Sequence, residues 1–98
     1  MVPSVSNPTL HPPVTMYSTV WCGHCRRLKA ALDRMGIEFR EIDIEQDPAA
    51  AEFVAGVNGG NHTVPTLLLA DGLVLTNPTI DEVVAATVAL QEPSWGGH

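Results

Sequence analysis

Apolar and polar residues alternate along this chain with two different periods, and the changes of period divide it into seven predicted elements. Short apolar or alternating stretches bounded by turn residues predict strands, and apolar positions spaced three and four apart predict helices. We predict strands at 14–17, 37–44, 66–70 and 73–76, and helices at 22–35, at 47–57 and from 79 onward. The order of elements is therefore β-α-β-α-β-β-α.

Each predicted helix has an apolar face, and local signals mark several of the element ends. The inward positions are Leu28, Leu32 and Met35 in the first helix, Ala50, Phe53, Val54 and Val57 in the second, and Ile80, Val83, Val84 and Thr87 in the third. Asp47 followed by Pro48 predicts a capped helix start, and Thr79 with Glu82 has the spacing of a capping box. The pair at 71–72, Asp-Gly, predicts a two-residue hairpin turn.

The predicted strands form one sheet. A helix joins the first two strands, and such a crossover makes them parallel neighbours of right-handed connection. The hairpin adds two more strands and completes a four-stranded mixed sheet flanked by three helices. We predict one α/β domain at 14–91, with a flexible extension at 1–13 and a flexible tail at 92–98.

Composition and charge narrow the range of partners. Of the 98 residues, 45% are apolar, as in an ordinary globular chain. Eleven acidic and five basic residues give a net charge of −6, which argues against nucleic acid or an anionic membrane as a partner. Residues 1–13 hold half of the eight prolines and no basic residue, so they resemble neither a signal peptide nor a membrane anchor. We expect a cytoplasmic protein that acts as a monomer.

Two cysteines, Cys22 and Cys25, stand two residues apart between the first strand and the first helix. At a helix start, unpaired backbone N–H groups and the helix dipole favour the thiolate, which is the nucleophilic form of cysteine. Cys25 lies one turn further along the same face, within reach of a disulfide with Cys22. We predict that Cys22 attacks and Cys25 resolves, with His24 and Trp21 tuning the pKa of Cys22.

Two plainer interpretations of the cysteine pair are weaker. A zinc site would need His24 or His62 as further ligands, and the usual second pair of ligands is missing, so we expect no bound metal. A purely structural disulfide gains its stabilising effect by closing a long loop, and a bridge over two residues constrains the unfolded chain little.

Three features together resemble the glutaredoxins of the thioredoxin superfamily: a strand, a CxxC pair at a helix start, and Thr63-Val64-Pro65 ahead of a hairpin. The resemblance covers roughly residues 14–90 and implies a thioredoxin-like fold. It also implies that Pro65 follows a cis peptide bond and that the Val64 backbone pairs with an extended thiol substrate beside Cys22.

Departures from the usual glutathione-binding pattern point to another carrier thiol. No basic residue stands shortly before Cys22, and Pro78 lacks a backbone N–H, whereas the two carboxylates of glutathione need a cation and free N–H groups. Mycothiol, a cysteinyl sugar thiol without a free carboxylate, needs hydroxyl and amide partners instead. Groups of that kind are expected from Ser18, Thr19 and Asn61, and above all from Thr63, Asn77 and Thr79. The runs at 57–65 and 75–78 resemble the mycoredoxins, the mycothiol-using branch of the family.

The resemblance implies a mycothiol-dependent thiol–disulfide oxidoreductase that acts on S-mycothiolated proteins and holds no bound cofactor. One alternative is a thioredoxin-like electron donor, reduced by a flavin reductase and serving ribonucleotide reductase or a peroxidase. An alternative of another class is a module that holds a [2Fe–2S] cluster between two chains, although such modules usually have one active-site cysteine or a small residue before the second.

Overall fold

The computed structural model of this protein describes residues 14–91, with side chains in the last helix as far as Val88. The predicted extension at 1–13 and the predicted tail at 92–98 lie outside the described residues. Within 14–91, no helix combines the length and apolar character needed to cross a bilayer.

The seven elements follow the predicted order. They are β1 (Val14–Ser18), α1 (Gly23–Arg34), β2 (Phe39–Asp43), α2 (Pro48–Val57), β3 (Thr66–Leu69), β4 (Val74–Thr76) and α3 (Ile80–Gln91). The strands form one four-stranded sheet in the order β2-β1-β3-β4. β1 is parallel to β2 and antiparallel to β3, which is antiparallel to β4, so the predicted mixed sheet and its topology are confirmed.

The register of the two central strands positions the cysteine loop. In the antiparallel pair, Val14 lies opposite Leu69 and Tyr17 lies opposite Thr66. The residues that follow β1 therefore meet the residues that precede β3 at one end of the sheet. This places the CxxC loop beside the segment 63–65, although more than 40 positions separate them in the sequence.

Helices cover both faces of the sheet. One buried cluster joins the sheet to α1 and α3 through Val14, Met16, Leu28, Leu32, Leu67, Leu69 and Val83, and it includes both cysteines. The other joins the sheet to α2 through Tyr17, Ile44, Ala50 and Val54. The cysteines thus lie where α1 meets the main core, and burying that apolar surface is the dominant stabilising term of the fold.

Two predicted inward positions are wrong, and both lie at the C-terminal end of a helix. Met35 is 55% exposed at the C-cap of α1, and Ala31 takes the inward position that precedes it. Val57 is 40% exposed at the end of α2. The helical face turns away from the sheet at these ends, so an apolar residue at the right spacing no longer reaches the core.

The hairpin between β3 and β4 is longer than predicted. A two-residue turn of the Asp-Gly type needs positive φ at both residues, but of the pair only Gly72 has positive φ, at 93°. The Gly72 N–H donates to the Leu69 carbonyl at 2.9 Å, and the Leu69 N–H donates to the Leu73 carbonyl at 2.9 Å. The loop therefore contains three residues, 70–72, with glycine in the left-handed position.

The predicted helix starts are confirmed by their hydrogen bonds. The Asp47 carboxylate accepts from the Ala50 N–H at 3.1 Å, with Pro48 as the first residue of α2. Thr79 and Glu82 form a reciprocal capping box. The Thr79 N–H donates to the Glu82 carboxylate at 2.9 Å, and the Glu82 N–H donates to the Thr79 hydroxyl oxygen at 3.1 Å.

Candidate active site

Cys22 is the N-cap residue of α1 and uses sulfur where most helices use a hydroxyl or carboxylate oxygen. Its backbone is extended, with φ −83° and ψ 109°, and its Sγ accepts from the Cys25 N–H at 3.1 Å. That N–H is one of the donors that a helix start leaves without a backbone partner. The same contact and the positive end of the helix dipole would stabilise a negative charge on this sulfur after reduction.

Cys22 and Cys25 form a disulfide, with 5.2 Å between their Cα atoms. Cys25 is 1% exposed and lies in the first turn of α1, whereas Cys22 is 7% exposed at the N-cap of the helix. A substrate disulfide therefore reaches Cys22 more easily than Cys25. The geometry agrees with an outer attacking sulfur and an inner resolving sulfur, which remain predicted roles.

The segment ahead of β3 forms the other wall of the site. The peptide bond between Val64 and Pro65 is cis, as the resemblance implies. The Val64 carbonyl oxygen lies 3.9 Å from Cys22 Sγ, and the Pro65 carbonyl accepts from the Asn77 N–H at 2.7 Å. The fold thus brings Val64 against the outer sulfur and Asn77 against Pro65, the residue that follows Val64.

His24 connects the first turn of α1 to the segment that precedes α3. Its Nε2 lies 3.1 Å from the Pro78 carbonyl oxygen, a contact in which the ring N–H donates. Among the described hydrogen bonds, none joins the imidazole to either sulfur. Its proposed effect on the Cys22 pKa stays a prediction, and the contact itself indicates a positioning role.

Trp21 contacts the loop after β2. Its side chain is 65% exposed, and its Nε1–H donates to the Glu45 carboxylate at 3.0 Å, which holds the indole against the loop after β2. A tuning effect of Trp21 on Cys22 stays a prediction. The pairing with Glu45 could not be expected from the sequence because 24 positions separate the two residues.

Three of the predicted binding residues differ in how many of their polar groups are available to a ligand. Thr63 is half-buried beside the cis peptide bond, and Asn77 is exposed with a left-handed backbone of φ 52°. Thr79 is exposed, but both its N–H and its hydroxyl oxygen already bond to Glu82. Of these three residues, Thr79 is therefore the least able to receive a ligand.

A polar cluster that the sequence did not reveal lies on the inner side of the site, near Cys25. The Ser18 hydroxyl donates to Glu41 at 2.6 Å, and Lys29 forms an ion pair with the same carboxylate at 3.1 Å. Burial raises the pKa of Glu41, but the hydrogen bonds from Ser18 and Lys29 and the Lys29 charge outweigh burial and hold that pKa below its ordinary value. A cavity of about 300 Å³, lined in part by Cys25 and Glu41, adjoins the cluster.

The lowered pKa of Glu41 makes this cluster sensitive to acid. Because the carboxyl ionises more readily in the folded chain, its contribution to stability is present above the unfolded pKa of about 4.3 and is lost as the pH falls through the folded value. We expect the difference in unfolding free energy between wild type and Glu41→Gln to be constant above about pH 5 and to shrink below about pH 4. Urea titrations at a series of pH values measure it.

Glu52→Gln, on the exposed side of α2, is the matched control for the loss of a surface carboxylate. A wild-type advantage over Glu41→Gln that persisted unchanged at about pH 3 would contradict the role assigned to the ionised Glu41.

Three comparisons place the chain among known proteins. The family model for glutaredoxin matches residues 14–74. A provisionally named glutaredoxin of Mycobacterium tuberculosis is 57% identical over 77 residues, which cover 79% of this chain and 92% of that protein. Mycoredoxin 1 of Corynebacterium glutamicum is 48% identical over 77 residues, covering 79% of this chain and 95% of that protein.

The fold also matches solved structures. NrdH-redoxin of Escherichia coli, described as a glutaredoxin-like protein with a thioredoxin-like activity profile, superposes with a TM-score of 0.63 at 25% identity. The match covers 82% of this chain and 95% of that chain.

Proposed function

The chain belongs to the glutaredoxin family, and we propose that its substrates are mixed disulfides between proteins and mycothiol. As a family member with the cysteine pair of these enzymes, it is a thiol–disulfide oxidoreductase of the glutaredoxin type. The observation that carries the proposal is the position of Cys22. Its sulfur caps a helix, is the outer member of a disulfide and lies against the Val64 carbonyl.

In the first proposed step, the Cys22 thiolate attacks the mycothiol sulfur of the mixed disulfide. The bond to the protein sulfur breaks, and the protein leaves as a thiolate that takes a proton from solvent. The product is a disulfide between Cys22 and mycothiol. The backbone of Val64 would hold the carrier so that the three sulfurs lie in line.

Two routes regenerate the enzyme. A second mycothiol thiolate attacks the carrier sulfur of the adduct, which frees Cys22 and forms mycothiol disulfide. Alternatively, Cys25 attacks the Cys22 sulfur and expels mycothiol, which leaves the Cys22–Cys25 disulfide seen in this structure. Two mycothiol molecules then supply the two electrons that reduce that disulfide.

The charge around the start of α3 supports mycothiol over glutathione as the carrier. The contacts of Pro78 with His24 and of Asn77 with Pro65 bring this helix start to the edge of the site. The Glu82 carboxylate already occupies the Thr79 N–H, and Asp81 adds a second negative charge in the first turn. A glutathione carboxylate would compete for an occupied donor and meet like charge, whereas mycothiol brings no free carboxylate.

The test is a parallel assay of one peptide carried as its mycothiol and its glutathione adduct, each with the matching thiol as reductant. We expect wild type to turn over the mycothiol adduct at least about tenfold faster, a difference of about 1.4 kcal/mol in transition-state free energy. Glu82→Gln keeps an acceptor for the Thr79 N–H and removes the charge. It should speed turnover of the glutathione adduct several-fold and change turnover of the mycothiol adduct less than about twofold.

Equal turnover of the two adducts by wild type would overturn the choice of carrier. If Glu82→Gln kept the wild-type preference for the mycothiol adduct, the negative charge at the start of α3 would not be the cause of that preference.

The structural match to NrdH-redoxin, described as having a thioredoxin-like activity profile, favours a second candidate. This is an electron donor reduced by a flavin reductase, and a third arm of the assay, with thioredoxin reductase and no small thiol, tests it. Efficient turnover in that arm alone would replace the mycothiol proposal. The proposal places the enzyme in the cytoplasm, as a monomer acting on S-mycothiolated proteins.

A further inference from the structure

A small cleft lies beside the site, on the side of the loop after β2. It measures about 260 Å³ and is lined by Thr19, Trp21, Ile44, Glu45, Ala51 and His62. Drug-sized ligands occupy about 300–1,000 Å³, so this cleft fits a smaller group. Its walls continue into the site, because Trp21 directly precedes Cys22 and His62 directly precedes Thr63.

The polar groups of the cleft are suited to hydroxyl groups. Trp21 offers an exposed aromatic face whose orientation is held by the hydrogen bond from its Nε1–H to Glu45. The Glu45 carboxylate can accept further hydrogen bonds beside the one from Trp21, because its two oxygens offer about four acceptor sites.

We propose that this cleft binds the sugar portion of the carrier thiol, with a sugar ring stacked on Trp21 and ring hydroxyls bonded to Glu45. The inference rests on the proposed function and adds to it the residues that recognise the carrier. Aromatic faces pack well against the apolar C–H face of a ring, and a few polar groups at its rim set the orientation. The distance along the chain is short, since Trp21 directly precedes Cys22, which carries the reacting sulfur.

The charge of the cleft favours a neutral polyhydroxylated group over an acidic one. Glu45 is exposed and negative, and no lysine or arginine lines the cleft. A carboxylate entering here would be repelled, whereas a hydroxyl group can donate to the Glu45 oxygens. The negative charge of Glu45 in the cleft and the negative charges at the start of α3 would thus each disfavour binding of glutathione.

The experiment compares two adducts of the same peptide, one with mycothiol and one with N-acetylcysteine N-methylamide, which lacks the sugar and, like mycothiol, carries no free carboxylate. In wild type we expect a KM for the mycothiol adduct at least about tenfold below that for the N-acetylcysteine N-methylamide adduct. Trp21→Ala should raise the KM for the mycothiol adduct about tenfold, so that the ratio of the two KM values approaches one, while kcat changes little. Trp21→Phe should keep most of the ratio because it keeps an aromatic face.

Val20→Ala is the matched control, since Val20 is 71% exposed next to Trp21 and does not line the cleft. Its KM ratio should equal that of wild type. A binding readout without turnover comes from titrating S-methyl mycothiol into the full chain carrying Trp95→Phe. The fluorescence of Trp21, then the single tryptophan, should change with saturation.

Three results would overturn the inference. The first is a KM for the mycothiol adduct that Trp21→Ala leaves unchanged. The second is an equal rise in the KM values of both adducts in that variant, which would assign the cleft to the peptide. The third is a Trp21 fluorescence signal that does not respond to S-methyl mycothiol. Failure of the proposed function is seen separately, as equal turnover of mycothiol and glutathione adducts by wild type.

Discussion

Replacing Cys22 with serine should lower turnover of the mycothiol mixed disulfide by at least about 1,000-fold, whereas Cys25→Ser should retain a good part of it. The reason is the division of roles between the outer and the inner sulfur. A serine hydroxyl at the N-cap keeps the hydrogen bond from the Cys25 N–H but does not ionise near neutral pH and cannot form a disulfide. The helix therefore stays capped while the nucleophile is lost.

Cys25→Ser tests the route that uses a second mycothiol. This variant cannot form the intramolecular disulfide, so its Cys22 adduct must be resolved by free mycothiol, and turnover should rise with mycothiol concentration. Steady-state assays over a range of thiol concentrations measure the effect, and mass spectrometry should detect the adduct on Cys22. Circular dichroism and thermal unfolding of both variants provide the control for folding.

Full activity in Cys22→Ser, or an adduct found on Cys25 instead, would contradict the assigned roles. Loss of all activity in Cys25→Ser would leave Cys22 as the nucleophile but would make the resolving thiol obligatory. That result would favour the thioredoxin-like candidate, because such a donor acts only through its dithiol.

Features that depend on neighbouring residues were predictable from the sequence. The capping box of Thr79 and Glu82 and the cap at Asp47 were found as expected, because each needs only three or four consecutive positions. The element order and the mixed sheet followed from the same local signals. The prediction of a two-residue hairpin turn at 71–72 is wrong because Asp-Gly occurs both in two-residue and in three-residue hairpin loops. Which loop forms depends on where the two strands stop pairing.

Contacts between distant segments were not predictable. The cysteine spacing identified Cys22, and the resemblance identified Val64 and Pro65. Neither could show that Glu41 binds Ser18 and Lys29 or that Glu45 binds Trp21. These pairings depend on which side chains face each other after the sheet has formed, and a single sequence carries no signal for that.

Asn58 is the clearest example of a residue whose contacts could not be predicted from the sequence. From the sequence it is only the start of the break at 58–61, yet its side chain joins α2, β3 and β4. Its Nδ2 donates to the Val54 carbonyl at 2.9 Å and to the Thr66 hydroxyl at 3.1 Å, and its Oδ1 accepts from the Thr76 hydroxyl at 2.8 Å. Thr66 in turn donates to the Thr63 carbonyl at 2.7 Å. A chain of hydrogen bonds thus runs from β4 to the wall of the active site.

We expect Asn58→Ala to lower the free energy of unfolding by about 2–4 kcal/mol. Three hydrogen bonds at about 0.5–1.5 kcal/mol each are lost, and the hydroxyl of Thr66, which is fully buried, loses a donor. Urea denaturation monitored by circular dichroism measures the change. Asn61→Ala is the matched control, because Asn61 is exposed and its side chain makes one hydrogen bond, to the Asn58 carbonyl at 3.2 Å. It should cost about 0.5 kcal/mol or less.

The same substitution should also slow the enzyme under conditions where it stays folded. Without Asn58, the Thr66 hydroxyl can turn away from the Thr63 carbonyl. That carbonyl then loses its hydrogen bond one residue before the Val64 carbonyl that contacts Cys22. A lower kcat/KM together with the lower stability would show that one network holds both the sheet and the wall of the site. Because the network acts through the position of Val64, a stability loss below about 1 kcal/mol with unchanged kcat/KM would contradict it.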